Sequence, residues 1–157
     1  MKCVMTLMLL AITLLWTPVF AQDPGSTNMQ ILIDKVKADK KLLIASNMNL
    51  TEQEAKTFWP LYEGYQKDLD KINKRLHSLI TDYAAAYNKG RVPNDLAKNL
   101  INEALKAEGA EVLMRRNYAE QLTKSLPATK VARYLQMENK IRAAIKFDLA
   151  ANIPLVY

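Results

Sequence analysis

The sequence predicts an all-α fold: an elongated helical hairpin or an open antiparallel bundle of about four helices. Apolar residues recur at helical spacing along most of the chain, and no stretch alternates with period two for long enough to form a strand. Turn-forming residues leave only short connections between the helical segments, and short connections favour antiparallel neighbours.

Residues 1–21 have the layout of a cleavable secretory signal peptide. Lys2 provides a short basic segment, an apolar run follows from Val4 to Trp16, and small residues precede the cleavage position. The run is short for a bilayer span, although an uncleaved anchor is the alternative. We predict a single helical domain over 22–157, periplasmic or secreted after cleavage near Ala21.

The chain has a net charge of +6, and most of the excess of basic over acidic residues lies in its second half. Arg115, Arg116, Lys130 and Arg133 are candidate contacts for acidic partners or for an anionic membrane surface. Nucleic acid is not expected as a partner of an exported chain. The only cysteine, Cys3, leaves with the signal peptide, which excludes disulfides and thiol chemistry from the mature protein.

The first helix is predicted to end near Asn47. Its apolar residues recur at helical spacing and are Met29, Leu32, Ile33, Val36 and Leu43. The second helix is predicted to start at Thr51, because Thr51 and Glu54 match a capping box, in which each side chain accepts from the backbone N–H of the other residue. The apolar and aromatic residues of this helix form a stripe along one face with near-heptad spacing. They are Phe58, Tyr62, Tyr65, Leu69, Ile72, Leu76, Leu79, Tyr83 and Tyr87.

Pro60 lies well inside the second helix, where a proline removes a backbone hydrogen bond and crowds the preceding turn at a cost of about 3 kcal/mol. The helix either ends at Trp59 and restarts, or continues with a kink. Because the apolar stripe keeps its phase across the proline, we predict one continuous helix kinked at Pro60. Trp59 lies about 100° from Phe58 around the helix, so it either packs against a neighbouring helix or contacts a partner.

A turn separates the second helix from the third. Gly90 suits the end of a helix, Pro93 stops propagation, and Asn94 or Asp95 is predicted to cap the third helix. The fourth helix is predicted to follow Pro127, since proline costs little in a first turn. The apolar residues of the third helix are Leu96, Leu100, Ile101, Ala104, Leu105, Val112, Leu113 and Leu122. Those of the fourth are Val131, Tyr134, Leu135, Ile141, Ile145 and Leu149.

Catalytic groups are scarce in this sequence. The mature chain has one histidine, His77, and its few glycines are too widely separated to form a phosphate-binding loop. Neither residue four positions from His77 is a good metal ligand. We therefore predict no enzymatic activity, no cofactor and no metal.

The stretch Leu50-Thr51-Glu52-Gln53-Glu54 precedes a long helix that carries aromatic residues. It resembles the Leu-Thr-x-x-Gln motif of the Spy/CpxP-like periplasmic helical proteins, with Glu54 in the fifth position and glutamine one residue earlier. A looser copy is Leu126-Pro127-Ala128-Thr129-Lys130, with Tyr134 eight residues after Leu126 as Phe58 is after Leu50.

The resemblance implies a non-catalytic, homodimeric and cradle-shaped helical hairpin that binds unfolded envelope proteins, restrains a stress-signalling kinase or senses metals. We expect an ATP-independent chaperone-like protein or envelope-stress adaptor. Two alternatives remain open: a structural coiled-coil protein that only dimerises, and a secreted regulator or metal sensor. The candidate partner contacts are Trp59, Arg115, Arg116, Lys130 and Arg133.

Overall fold

The computed structural model describes residues 39–156, and this part of the chain contains four α-helices and no strand. Helix α1 covers 39–48 of the described residues. It is followed by α2 (Glu52–Tyr87), α3 (Asn94–Leu122) and α4 (Ala128–Asn152). The predicted all-α fold with about four helices is confirmed. The predicted signal peptide, and the part of the predicted first helix before residue 39, lie outside the described residues.

Helix α2 begins with the predicted capping box. The backbone N–H of Thr51 donates to Glu54 Oε2 at 2.8 Å, and the backbone N–H of Glu54 donates to Thr51 Oγ1 at 3.3 Å. The two side chains thus satisfy backbone groups that have no partner within the helix. The 36 residues of α2 correspond to a length of about 54 Å.

Pro60 lies inside α2, which continues through it without interruption. The predicted continuous helix is therefore confirmed, and the alternative of a break at Trp59 is wrong. The stripe also keeps its phase, since the buried residues of α2 lie on both sides of the proline and are Phe58, Tyr62, Tyr65 and Leu69.

The connections between the helices are short and contain proline or glycine. Gly90 has a φ of +83°, a left-handed conformation that suits glycine after α2. The predicted side-chain cap of α3 is wrong: Pro93, not Asn94 or Asp95, takes the capping position, and no side chain caps the helix. A proline disfavours the helical conformation in the residue before it. Pro93 and Pro127 therefore define the starts of α3 and α4 through their backbone conformation, without a side-chain hydrogen bond.

Aromatic rings from three helices form the centre of the core. The Tyr134 ring lies edge-on to Phe58, with 5.2 Å between ring centroids, and 5.7 Å from that of Tyr65. Tyr118 of α3 adds a further edge contact to Tyr65 at 5.5 Å. Such edge-to-face pairs add to the free energy of burial. The remaining buried apolar residues around them include Ile44, Met48, Leu69, Met114, Leu122, Leu126 and Val131.

The predicted apolar faces of α1, α3 and α4 are partly wrong. Leu43 is exposed, while its neighbours Lys40 and Ile44 are buried. The predicted core residues that are instead exposed are Ile101, Leu105, Val112, Leu113 and Ile145. Two carboxylates are buried instead, Glu111 of α3 and Glu138 of α4. Each is paired with a cation of another helix. The ion pairs thus permit charged residues at positions where spacing alone predicts apolar ones.

Within residues 39–156, each helix is either too short or too polar to cross a lipid bilayer.

Candidate functional site

A groove of about 380 Å³ lies between α3 and α4. The two helices run antiparallel along it, because Arg142 pairs with Glu111 while Lys146, further along α4, lies 3.7 Å from the earlier Glu108. Three basic and two acidic side chains line the groove, so its net charge is positive. The lining residues are Glu108, Glu111, Val112, Arg115, Asn139, Arg142, Ala143 and Lys146.

Helical spacing places these ion pairs side by side. Glu108 and Glu111 are three residues apart on α3, and Arg142 and Lys146 are four residues apart on α4, so each pair shares one helix face. The Arg142–Glu111 pair is the deeper of the two, with side chains 15% and 5% exposed. The Lys146–Glu108 pair is more than half exposed, so it contributes little to stability.

Two donor atoms of the groove lining, Arg115 Nε and Arg142 Nη1, are buried and have no hydrogen-bond partner among the described residues. Glu111 Oε1 of the same lining also makes no hydrogen bond of regular geometry, but it is paired with Arg142 through Nη2. Tyr65, whose hydroxyl also lacks a partner, is fully buried and lies outside the lining. Burial raises the pKa of this hydroxyl, which therefore stays neutral.

An apolar strip on α3 ends at Val112, which lines the groove. It consists of Ile101, Leu105 and Val112, whose side chains are 60%, 61% and 62% exposed. Their spacing keeps them within about 40° of one another around the helix. Phe147 of α4 is also exposed and lies four residues after the groove residue Ala143. We refer to Ile101, Leu105 and Val112 as the α3 strip.

The adjacent arginines of α3 have different surroundings. Arg115 lines the groove and is partly buried, whereas Arg116 is exposed and pairs with Glu120 at 3.0 Å, one turn along the same helix. Successive residues of a helix point about 100° apart, so only one of the two can face α4. The sequence did not distinguish them.

Lys130 and Arg133 contact the connection between α1 and α2. The Lys130 ammonium donates to Glu54 Oε2 at 2.6 Å and to the Asn49 carbonyl at 2.9 Å. Arg133 donates to the Asn47 carbonyl at 3.2 Å. The Lys130 hydrogen bond holds the pKa of the Glu54 carboxyl below its ordinary value. Lys130 thus attaches α4 to the start of α2, and Arg133 attaches α4 to the end of α1.

Trp59 packs against the core while part of its side chain stays exposed. Its ring makes edge contacts with Phe58 and Tyr62, with centroids 5.1 and 5.4 Å apart. Lys41 Nζ lies 5.4 Å from the centroid of the same ring, within the range of a cation–π contact. These contacts favour the packing role of Trp59 over a role confined to partner binding.

A buried polar network links three helices and was not predicted from the sequence. Lys40 of α1 pairs with Glu138 of α4 at 2.8 Å and donates to Gln66 Oε1 of α2 at 2.8 Å. Gln66 Nε2 in turn donates to Glu138 Oε1 at 2.9 Å. One signal was available: Glu138 follows Tyr134 by four residues, which puts a carboxylate on the buried stripe of α4.

The described residues offer little for metal or acid–base chemistry. His77 is exposed on α2, and residues 39–156 contain no cluster of three or more histidine, cysteine or carboxylate side chains that could hold a metal ion.

No protein-family model, curated protein or solved structure matches this chain.

Proposed function

We propose that the protein is a non-enzymatic binding protein of the cell envelope, an ATP-independent chaperone-like protein or stress adaptor that captures segments of partly unfolded proteins. The observation that carries this proposal is the α3 strip, whose three apolar side chains are each more than half exposed beside a basic groove. The envelope location rests on the predicted signal peptide.

The α3 strip offers hydrophobic contact to a segment that has lost its own core. Burial of apolar surface stabilises a complex by about 25 cal/mol per Å² before the cost of ordering the partner is subtracted. Contiguous exposed apolar surface bordered by polar groups commonly marks an interaction site. An unfolding protein exposes apolar side chains of many shapes, and an open strip can accept them without a close match.

The positive charge of the groove provides attraction at longer range. Three basic and two acidic residues line it, and such a field speeds the encounter with acidic segments. Salt screens this attraction beyond about 10 Å at 0.1 M ionic strength. Capture should therefore be faster at low salt, while the hydrophobic contact persists at high salt.

A structural coiled coil, the alternative class, is less well supported by the same surface. A heptad seam built on Leu105 and Val112 would also contain Glu108 and Arg115, which occupy the intervening core positions of the repeat. Charged side chains at both positions disfavour a dry helix–helix seam. The predicted homodimer stays a prediction, and sedimentation velocity of the mature protein would test it.

The test is light scattering of several unrelated unfolding proteins with the mature protein at stoichiometric ratios and without ATP. We expect aggregation to slow, and Leu105→Ser to weaken the effect. Leu113→Ser is the matched control, because Leu113 lies on the same helix with the same 61% exposure but points about 80° away from Leu105. No protection of any client by the folded protein would overturn the proposal in favour of the structural class.

A further inference from the structure

We infer that the base of the α3–α4 groove is a carboxylate-binding subsite, which receives an acidic side chain flanked by apolar residues in the bound segment. This inference rests on the proposed function and adds to it the chemistry of the preferred segment. It is carried by two buried donors of the groove lining that lack an acceptor within the described residues: Arg115 Nε and Arg142 Nη1.

Buried donors without acceptors are costly, and native proteins leave few of them. The cost is larger when the donor is charged. Here two such donors line one groove that opens to solvent, and both belong to guanidinium groups. An incoming carboxylate would supply acceptor oxygens to this cluster, and hydrogen bonds between charged groups are the stronger kind.

The acidic residues of the groove do not act as acceptors for these buried donors. Glu111 is engaged by Arg142 through the other terminal nitrogen of its guanidinium, Nη2, and Glu108 faces Lys146. Arg115, although four residues after Glu111 on the same helix, keeps its Nε unpartnered. The cation that lacks a carboxylate is therefore Arg115, and its position on the lining directs it to a ligand from outside.

Charge and shape select a carboxylate over a more highly charged anion. The lining carries three basic and two acidic side chains, so one monoanionic group neutralises it. A phosphate of nearly two negative charges would be repelled by Glu108 and Glu111. The planar guanidinium also matches a carboxylate in geometry. On either side, the α3 strip and Ala143 offer apolar contact for the residues that flank the acidic one.

The experiment compares two fluorescent peptides of apolar sequence that differ only in one central residue, glutamate or glutamine. Binding to the mature protein is followed by fluorescence anisotropy. We expect the glutamate peptide to bind about ten-fold more tightly, because its carboxylate accepts charge-assisted hydrogen bonds that are stronger than those of the neutral glutamine amide. Arg115→Gln should reduce this ratio to about one, while the control Arg116→Gln should retain it, because Arg116 pairs with Glu120 outside the groove.

Two further measurements keep the result interpretable. Arg115→Lys keeps the positive charge but removes Nε, so it should lower the glutamate preference without abolishing peptide binding, even if Arg115→Gln proves unstable. A third peptide carrying phosphoserine at the central position should bind more weakly than the glutamate peptide, and tighter binding would overturn the carboxylate class.

The outcomes separate this inference from the proposed function. If the glutamate and glutamine peptides bind equally well to wild type, to Arg115→Gln and to Arg115→Lys, the subsite is wrong while peptide capture stands. If no peptide binds and no client is protected, the proposed function itself is wrong.

Discussion

Lys40 Nζ of α1 lies 2.8 Å from Glu138 Oε2 of α4, and the two side chains are 7% and 0% exposed. Gln66 of α2 donates to the same carboxylate and accepts from the same ammonium. A buried charge without a partner is strongly destabilising, whereas this arrangement satisfies both charges. The pair therefore fixes the position of α1 on the other helices.

Lys40→Met should destabilise the protein by about 3–5 kcal/mol, because it leaves Glu138 buried without its cation. The double variant Lys40→Met with Glu138→Leu should regain most of that loss, since it removes both charges. Lys41→Met is the control: the Lys41–Glu63 pair is more than half exposed, and such pairs contribute about 1 kcal/mol or less. Urea unfolding measures all three variants, and equal losses for Lys40→Met and Lys41→Met would contradict the role of the buried pair.

Two helical glycines should respond differently to alanine. A Cβ on Gly64 would lie 2.8 Å from the Tyr118 hydroxyl, whereas a Cβ on Gly109 meets nothing within 4 Å. Gly109→Ala should stabilise the protein by about 1 kcal/mol through helix propensity. Gly64→Ala should gain less or lose, because the Tyr118 hydroxyl is held by Asp68 at 2.8 Å. Thermal unfolding compares the two.

The cause of the Gly64 effect can be isolated with Tyr118→Phe. This substitution removes the hydroxyl that a new Cβ would meet, so Gly64→Ala should be better tolerated in the Tyr118→Phe background than in wild type. If the effect of Gly64→Ala is the same in both backgrounds, the contact with Tyr118 is not its cause.

Helical periodicity predicted the part of the fold where apolar burial alone decides the structure. In α2 the stripe residues Phe58, Tyr62, Tyr65 and Leu69 are all buried, and the capping box fixes where the helix begins. Both signals are local: they depend on residue spacing within one helix and on side chains close to its end. Neither requires knowledge of the neighbouring helices.

The groove and the buried ion pairs could not be predicted in this way, because they depend on partners from another helix. The sequence places Glu138 on the stripe of Tyr134, but it does not show that Lys40, on another helix, is its partner. Arg115 and Arg116 are identical in type and adjacent in sequence, and only the position of α4 separates the groove residue from the exposed one. The α3 strip has the spacing of a core face, and its exposure follows from packing that the sequence does not specify.

Acid should weaken the contact between α2 and α3 at Glu103. Hydrogen bonds from Lys106 and Arg75 lower the pKa of this carboxyl from its ordinary value of 4.5 to about 2. A lowered folded-state pKa means that the stabilising contribution is present above pH 4.5 and is lost as the pH falls toward 2. Wild type should therefore exceed Glu103→Gln in stability at pH 6, and the gap should narrow by pH 2.5. Urea unfolding at several pH values checks this, and a gap that does not depend on pH would contradict it.

Pro60→Ala should raise stability without changing capture at the groove. Pro60 lies past the first turn of α2, where proline cannot donate to the carbonyl four residues earlier, that of Lys56, and costs about 3 kcal/mol. Alanine restores the donor, so we expect a higher melting temperature. The groove is lined by residues of α3 and α4, which predicts unchanged protection of clients in the light-scattering assay. A stabilised variant with weaker capture would instead show that the proline shapes the binding surface through the path of α2.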